Sequence, residues 1–461
     1  MKLFRRSSII FIIAVIGIFT ASIFAQPKKV RDQAKSLTDK ADQAFRQKNY
    51  QEAIGKYTEA IALLPTNPQA HFGKGYAHFN LKENDKAIEE FNIALSQGFS
   101  PAVEVYRVRS YIYYDQKNYD AAFADYQKGL AITPNDKDFL KGIGEIYLAK
   151  KSYREALDTF QKILKVNPND ADVYYNMARV DLATGDTKGQ QTAAEMALAK
   201  GTRFPGDAFF LLGDACQKER NAPCAIDAYQ KAINSKPDLY DAYRNLAEVF
   251  RNENRYNDAI NILKKGLIAF PLDGRIYTDL SWLYSLADRS DDAVQAAKSG
   301  IQILPNAYLA YTTLCRAYNE TKAYDLAVTA CNNSLRLQPG DGETYFYLGR
   351  AYNLLGKTTE ATRFYGLAVK GLEDFTEKNP LYSDGWYLLG NAYFADNQRD
   401  KAVGAYEKCL NLTPKFAKAR YNLGIIYTRN KNKSGANEQY AKLQGLDAKL
   451  ADLLKAEIDK M

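Results

Sequence analysis

A pattern that returns every 34 residues decides what this chain can fold into. Between Tyr240 and Phe250, the large residues Tyr243, Leu246 and Phe250 and the small residue Ala247 take positions 4, 7, 11 and 8 of the repeat, the i, i+3, i+4, i+7 stripe of a helix buried along one face. A second stripe follows, with Tyr256, Ala259, Leu263 and Gly266 at positions 17, 20, 24 and 27, and Pro271 at position 32 stops that helix. The unit is predicted to be a helix hairpin whose backbones approach closely at the small positions 8 and 20.

Sliding this template along the chain places a small residue at position 8 twelve times: Ala41, Gly75, Ser110, Gly144, Ala178, Gly213, Ala247, Ser281, Cys315, Gly349, Gly390 and Gly424. Position 20 is alanine in every copy except the fifth, where Gln190 stands, and proline closes most copies at position 32. Successive position-20 residues lie 34 or 35 apart, apart from Ala361 and Ala402, which are 41 apart. The added length, nearly two helical turns, is predicted to extend the helix that starts at Thr358. The extension is expected over residues 371–382, with a turn at Asn379–Pro380 and an end that projects beyond the stack.

These residues resemble the tetratricopeptide repeat (TPR) family over about residues 34–450. The resemblance implies an all-α, right-handed superhelical solenoid of helix-turn-helix repeats. Repeats one to five would occupy 34–205, repeats six to ten 206–382, and the last two 383–445, with 446–461 as a capping helix that buries Leu446, Leu450 and Leu453-Leu454. It also implies a concave groove, lined by first-helix positions 2, 5, 9 and 12, that binds peptides or protein segments.

Position 9 is usually asparagine in this family, and here Asn391 alone keeps it. Tyr76, Tyr111, Arg179, Trp282, Arg316 and Arg350 stand at that position in other copies, a mixture of flat rings and guanidinium groups enriched at protein interfaces. With Phe346 beside Arg350, they form the candidate partner-binding surface, and Trp282, Arg316 and Arg350 should line one groove wall. In the alternative, Trp282 packs on a neighbouring helix and the arginines pair with Glu320 and Glu343. The clamp for chain-terminal carboxylates found in one branch of the family is present only as a fragment, Lys141 and Asn176, and fails at Asp207 and Leu211.

No catalytic motif emerges. There is no phosphate-binding glycine loop, no HExxH and no nucleophile elbow followed by a triad histidine. His71 and His78 fall at core positions 4 and 11 of the second repeat, held elsewhere by tyrosine, and no third ligand completes a metal site. The expectation is a protein with no catalytic residues, cofactor or metal. Five cysteines form no CxxC. Cys216 and Cys224 sit near the turn of one hairpin and are a candidate disulfide, while Cys315 with Cys331 is less favoured because position 8 should face 20 more directly than 24. Cys409 is left as a buried free thiol.

The chain opens with Lys2, Arg5 and Arg6, continues with an apolar stretch over 8–25 and reaches the small residue Ala25 before Pro27. Residues 1–25 therefore read as a signal peptide, either cleaved or retained as a membrane anchor, with the rest exported to a periplasmic or extracellular space. Without those three cations the net charge falls from +8 to +5, weak for a nucleic-acid binder of this length. A charged fraction of 25% and a mean hydropathy of -0.42 exclude both a disordered tract and a multi-span membrane protein. The leading reading is a non-enzymatic protein–protein interaction scaffold, exported or anchored. The alternatives are a carbohydrate or cell-wall binder using its tyrosine faces, and a targeting subunit of an enzyme on another chain.

Overall fold

The computed structural model describes residues 27–461; the leader or anchor expected over 1–25 lies outside the described residues. Among the described residues there are 25 α-helices and no strand, and no helix is long and apolar enough to cross a membrane. The chain divides into two compact units, one ending at Val180 and the other running from Asp181 to Met461.

Each hairpin turns in the same way. The seventh residue after position 8 adopts a left-handed backbone in all twelve copies, with Gly185 and Gly356 in two and residues such as Lys151, Asn254 and Asp288 in the rest. The next N–H reaches back to a carbonyl in the last turn of the first helix, as from Asn49 to Ala44 (2.9 Å) and from Arg255 to Phe250 (2.8 Å). This closure satisfies carbonyls that the helix end would otherwise leave without a donor.

The small residue at position 8 is explained by the ring that lies against it. A Cβ built on Gly75 would stand 2.9 Å from the Phe91 ring, on Gly213 2.6 Å from Tyr229, and on Gly390 2.7 Å from Tyr406. In each case the ring belongs to position 24, and in two copies the position-20 carbonyl follows it, with Ala87 O at 3.2 Å from the Gly75 site and Ala361 O at 3.3 Å from Gly349. The sequence expectation that position 8 faces 20 more directly than 24 is thereby corrected for side chains. Backbones approach at 20, but the side chain that fills the gap comes from 24.

The cysteines follow the same geometry. Cys315 and Cys331 occupy the position-8 and position-24 sites and are joined, with Cα atoms 5.2 Å apart. A disulfide thus fills the volume that a glycine and a ring fill elsewhere. Cys216 and Cys224 are also joined, at a Cα separation of 5.8 Å, and Cys409 is a buried free thiol whose ionisation burial opposes.

The division between the two compact units, at Val180/Asp181, falls inside the fifth repeat. In the fifth hairpin the position-24 ring is replaced by Ala194, and the buried Gln190 donates from Nε2 to Leu211 O and Asp214 Oδ2, both at 2.8 Å. These bonds tie the second helix of that repeat to the sixth repeat. Within the second unit one core runs from Cys216 to Ile426 without a break at 382/383.

The long interval forms the helix Thr358–Lys378, 21 residues against 13 or 14 for neighbouring helices, and ends at Asn379 before Pro380. Its added turns do not project, which corrects the expected ledge. Leu372 and Thr376 are buried, Phe375 lies against Gly385 of the next helix, and Tyr393 donates to Glu373 Oε1 at 2.5 Å. The reason is the small pair Gly342 and Gly371, whose backbones approach so closely that a Cβ on Gly342 would stand 2.6 Å from Leu372 N. The terminal helix Ala448–Ile458 buries Ala451, Leu454 and Ile458, with Asp447 accepting from Leu450 N at 3.0 Å as its cap; Leu453 faces outward.

Candidate functional site

The sequence-nominated residues fall into two groups, one in each unit. In the first unit, Tyr76 belongs to a run of partly exposed rings on the first helices of successive hairpins. Phe45 and Tyr76 have centroids 5.4 Å apart, Tyr76 and Phe79 6.0 Å, and Phe79 and Tyr111 5.9 Å. The run ends at Tyr111, which is 56% exposed. Arg179 is not part of it; its Nη1 donates to Asn176 Oδ1 at 2.9 Å. His71 and His78 each bind a different carboxylate, Glu90 and Glu83, through Nδ1 at 2.6 Å, so their rings are engaged separately. Among the described residues no three metal-ligating side chains gather.

In the second unit, Trp282, Arg316, Phe346, Arg350 and Asn391 line one cavity of about 810 Å³. First helices of successive repeats present them because residues one repeat apart share the same face. Asn391 is occupied by its own neighbours, its Oδ1 accepting from Tyr406 Oη (2.5 Å) and Asn422 Nδ2 (2.8 Å). Phe346 is 8% exposed and packs on Tyr347 and Tyr365. Arg316 is 2% exposed, sits 3.6 Å from the Trp282 ring centroid and reaches Glu343 Oε1 at 3.4 Å. The alternative holds in part: Arg316 packs on Trp282, lines the cavity and pairs with Glu343, whereas Arg350 forms no ion pair among the described residues. Burial raises the Glu343 carboxyl to about 7, against the opposing pull of Arg316.

Sequence reasoning did not anticipate the far wall. Lys418, Asn422 and Arg429 of the last repeat line the same cavity, and Lys418 Nζ reaches Asp288 Oδ1 at 3.0 Å and Ser285 O at 3.1 Å. Lys449 also reaches Asp288, at 3.2 Å, and Asn254 Nδ2 donates to Leu446 O at 3.1 Å. Arg251 binds Asp384, which is 3% exposed. These contacts join residues 130 or more apart and close the repeats of this unit around the cavity. No local periodicity could signal them, because pairing at that separation depends on how the curvature of successive hairpins accumulates.

Models of the tetratricopeptide repeat match residues 113–180, and 38–102 with 87–137, and a TPR repeat model matches 390–431. Among curated proteins, the Hsp70-Hsp90 organising protein of Plasmodium falciparum is 28% identical over 110 residues, covering 23% of this chain and 19% of that protein. Small glutamine-rich tetratricopeptide repeat-containing protein 2 of Saccharomyces cerevisiae is 38% identical over 68 residues, covering 15% of this chain and 20% of that one. The chain thus spans about a fifth of the length of these relatives. Among solved structures, yeast Tom70 is 16% identical, with 93% of this chain and 96% of that one covered at a TM-score of 0.40. MamA is 24% identical, covering 38% of this chain and 94% of that one at a TM-score of 0.33. Separate models of one repeat match near both ends of a chain whose hairpins share the same left-handed turn, with Gly75, Gly144, Gly213, Gly349 and Gly390 each lying against a position-24 ring, and the chain belongs to the tetratricopeptide repeat family.

Proposed function

We propose that this chain is an exported or membrane-anchored, non-enzymatic scaffold that holds a protein or peptide segment on the inner face of its first unit. The observation that carries the reading is the run Phe45, Tyr76, Phe79 and Tyr111, which offers rings at contact spacing and leaves Tyr111 more than half exposed. Rigid aromatic surface of this kind supplies large contact area at low entropic cost and is enriched among interface anchors. Export rests on the order of residues 1–25, and relatives named for organising chaperones support a binding role for the repeat.

The test replaces Tyr76 and Tyr111 with alanine and probes position 111 of the otherwise native chain with a photo-crosslinking amino acid in an envelope extract. A discrete crosslinked protein, lost on Tyr76→Ala, is the expected result. Capture that is indifferent to both substitutions sinks the assignment to the first unit. Intact mass of the extracted protein beginning at Gln26, or retaining Met1 in the membrane fraction, is expected; a soluble cytoplasmic form that keeps Met1 refutes export. The same rings favour a second reading, stacking on a glycan, which predicts binding to purified cell-wall fragments with no crosslinked protein.

A further inference from the structure

The cavity of the second unit carries more cationic donors than its own carboxylates engage. Arg316 Nη1 reaches Glu343, but Nε and Nη2 are buried and meet no acceptor. Those two atoms form the edge with which Arg109, in the first unit, grips the Asp125 carboxylate, Nε to Oδ2 at 2.6 Å and Nη2 to Oδ1 at 2.7 Å. Arg350 and Arg429 line the same cavity, are exposed to it and form no ion pair among the described residues. The lining carboxylates are largely committed, Asp288 to Lys449 and to Lys418, itself part of the lining, and Glu457 to Lys460, with Arg429 also acting on Glu457 through space. That leaves Glu320, four residues beyond Arg316 on the same helix, whose Oε2 is also buried without a hydrogen bond. Arg350 and Arg429, which form no ion pair, and the unpartnered edge of Arg316 thus share the cavity with the one carboxylate, Glu320, that no cation engages among the described residues.

From this arrangement we infer that the cavity is a binding site for a small oxyanion, held by Arg350 and Arg429 and charge-stabilised by Arg316 beneath the Trp282 ring. Guanidinium groups match carboxylate and phosphate oxygens two at a time, and a low-dielectric surround strengthens each such bond. The volume of about 810 Å³ falls within the range of small-molecule sites. The Lys418–Asp288 pair lies in the lining and bounds the cavity on the side of the last repeat. The ligand class is a compact organic acid with two or more carboxylates, or a phosphate; both present the same oxygens. This site is independent of the aromatic surface of the first unit.

Purified full chain is titrated with citrate, with inorganic phosphate and with an acetylated, amidated poly-glutamate hexapeptide, each against chloride at matched ionic strength. Heat of binding and thermal shift are read together. A Trp386→Phe background leaves Trp282 as the remaining tryptophan, so that its fluorescence reports the cavity. Saturable binding of citrate or phosphate near one per chain, with a change in Trp282 emission, is expected, and the stronger of the two names the oxyanion. Arg350→Ala with Arg429→Ala, both at exposed side chains, should weaken it at least tenfold with helical content retained, while Tyr111→Ala should leave it unchanged. No saturable response beyond chloride, equal affinity in the double variant, or binding of the peptide without either free anion would each overturn the site.

Discussion

Arg316 is among the largest buried side chains of the protein, and it lies 3.6 Å from the centroid of Trp282, one repeat earlier at the same position. The position that the sequence nominates for partner contact is therefore also structural. Because Arg316 is buried, substituting Trp282, Arg316 and Arg350 together with alanine should lower the melting temperature and not only remove a contact surface. Arg316→Ala should cost about 2–4 kcal/mol, since it opens space and strands Glu343. A double-mutant cycle with Trp282→Ala should show a coupling of about 1–2 kcal/mol. Urea unfolding monitored by circular dichroism measures both, and additive effects would remove the ring contact from the explanation.

Two ion pairs that close the second unit differ in burial and should differ in worth. Asp384 is 3% exposed, so Arg251→Ala leaves an uncompensated carboxylate and should destabilise the unit by about 3–5 kcal/mol. The Asp288 side chain is 60% exposed, and Asp288→Asn, which removes the charge and suits the left-handed backbone there, should cost less than about 1 kcal/mol, fading in high salt. Equal losses in the two variants would mean that burial does not rank these contacts.

The Cys315–Cys331 pair stands where other repeats place a small residue beneath a ring. Cys315→Gly with Cys331→Tyr reproduces the Gly349–Tyr365 arrangement of the following repeat. That variant should fold with native helical content and lose the part of the reductant sensitivity that this pair confers, whereas Cys331→Tyr alone should clash with the Cys315 side chain and melt earlier. Thermal melts with and without reductant decide the matter, and a misfolded double variant would refute the equivalence.

Glu343 gives a pH dependence whose sign follows from burial. Its carboxyl is raised from the ordinary 4.5 to about 7, so in that window the folded chain retains a proton that the unfolded chain has released. Stability from this group is greatest below pH 4.5 and falls as pH rises towards 7, by up to about 3 kcal/mol at roughly 1.4 kcal/mol per pH unit. Glu343→Gln should flatten that portion of the stability curve. An unchanged slope between pH 4.5 and 7 would place the titration elsewhere.

What the sequence determined by itself is the unit and its repetition. Small residues at position 8, alanine at 20 and proline at 32 lie within one 34-residue window, and short-range sterics are enough to make such a window a hairpin. The same periodicity brings Trp282, Arg316 and Arg350 onto one wall, since equivalent residues of stacked hairpins face alike. The helix from Thr358 and its stop before Pro380 were legible for the same local reason. Tertiary structure alone decided the rest. That Phe375 folds onto Gly385, that Gln190 assigns its helix to the second unit, and that position 8 meets position 24 each depend on side-chain reach across a contact. The pairs Arg251–Asp384 and Lys418–Asp288 are further removed still, because they exist only where small rotations, summed over several repeats, bring the last hairpins back to earlier ones.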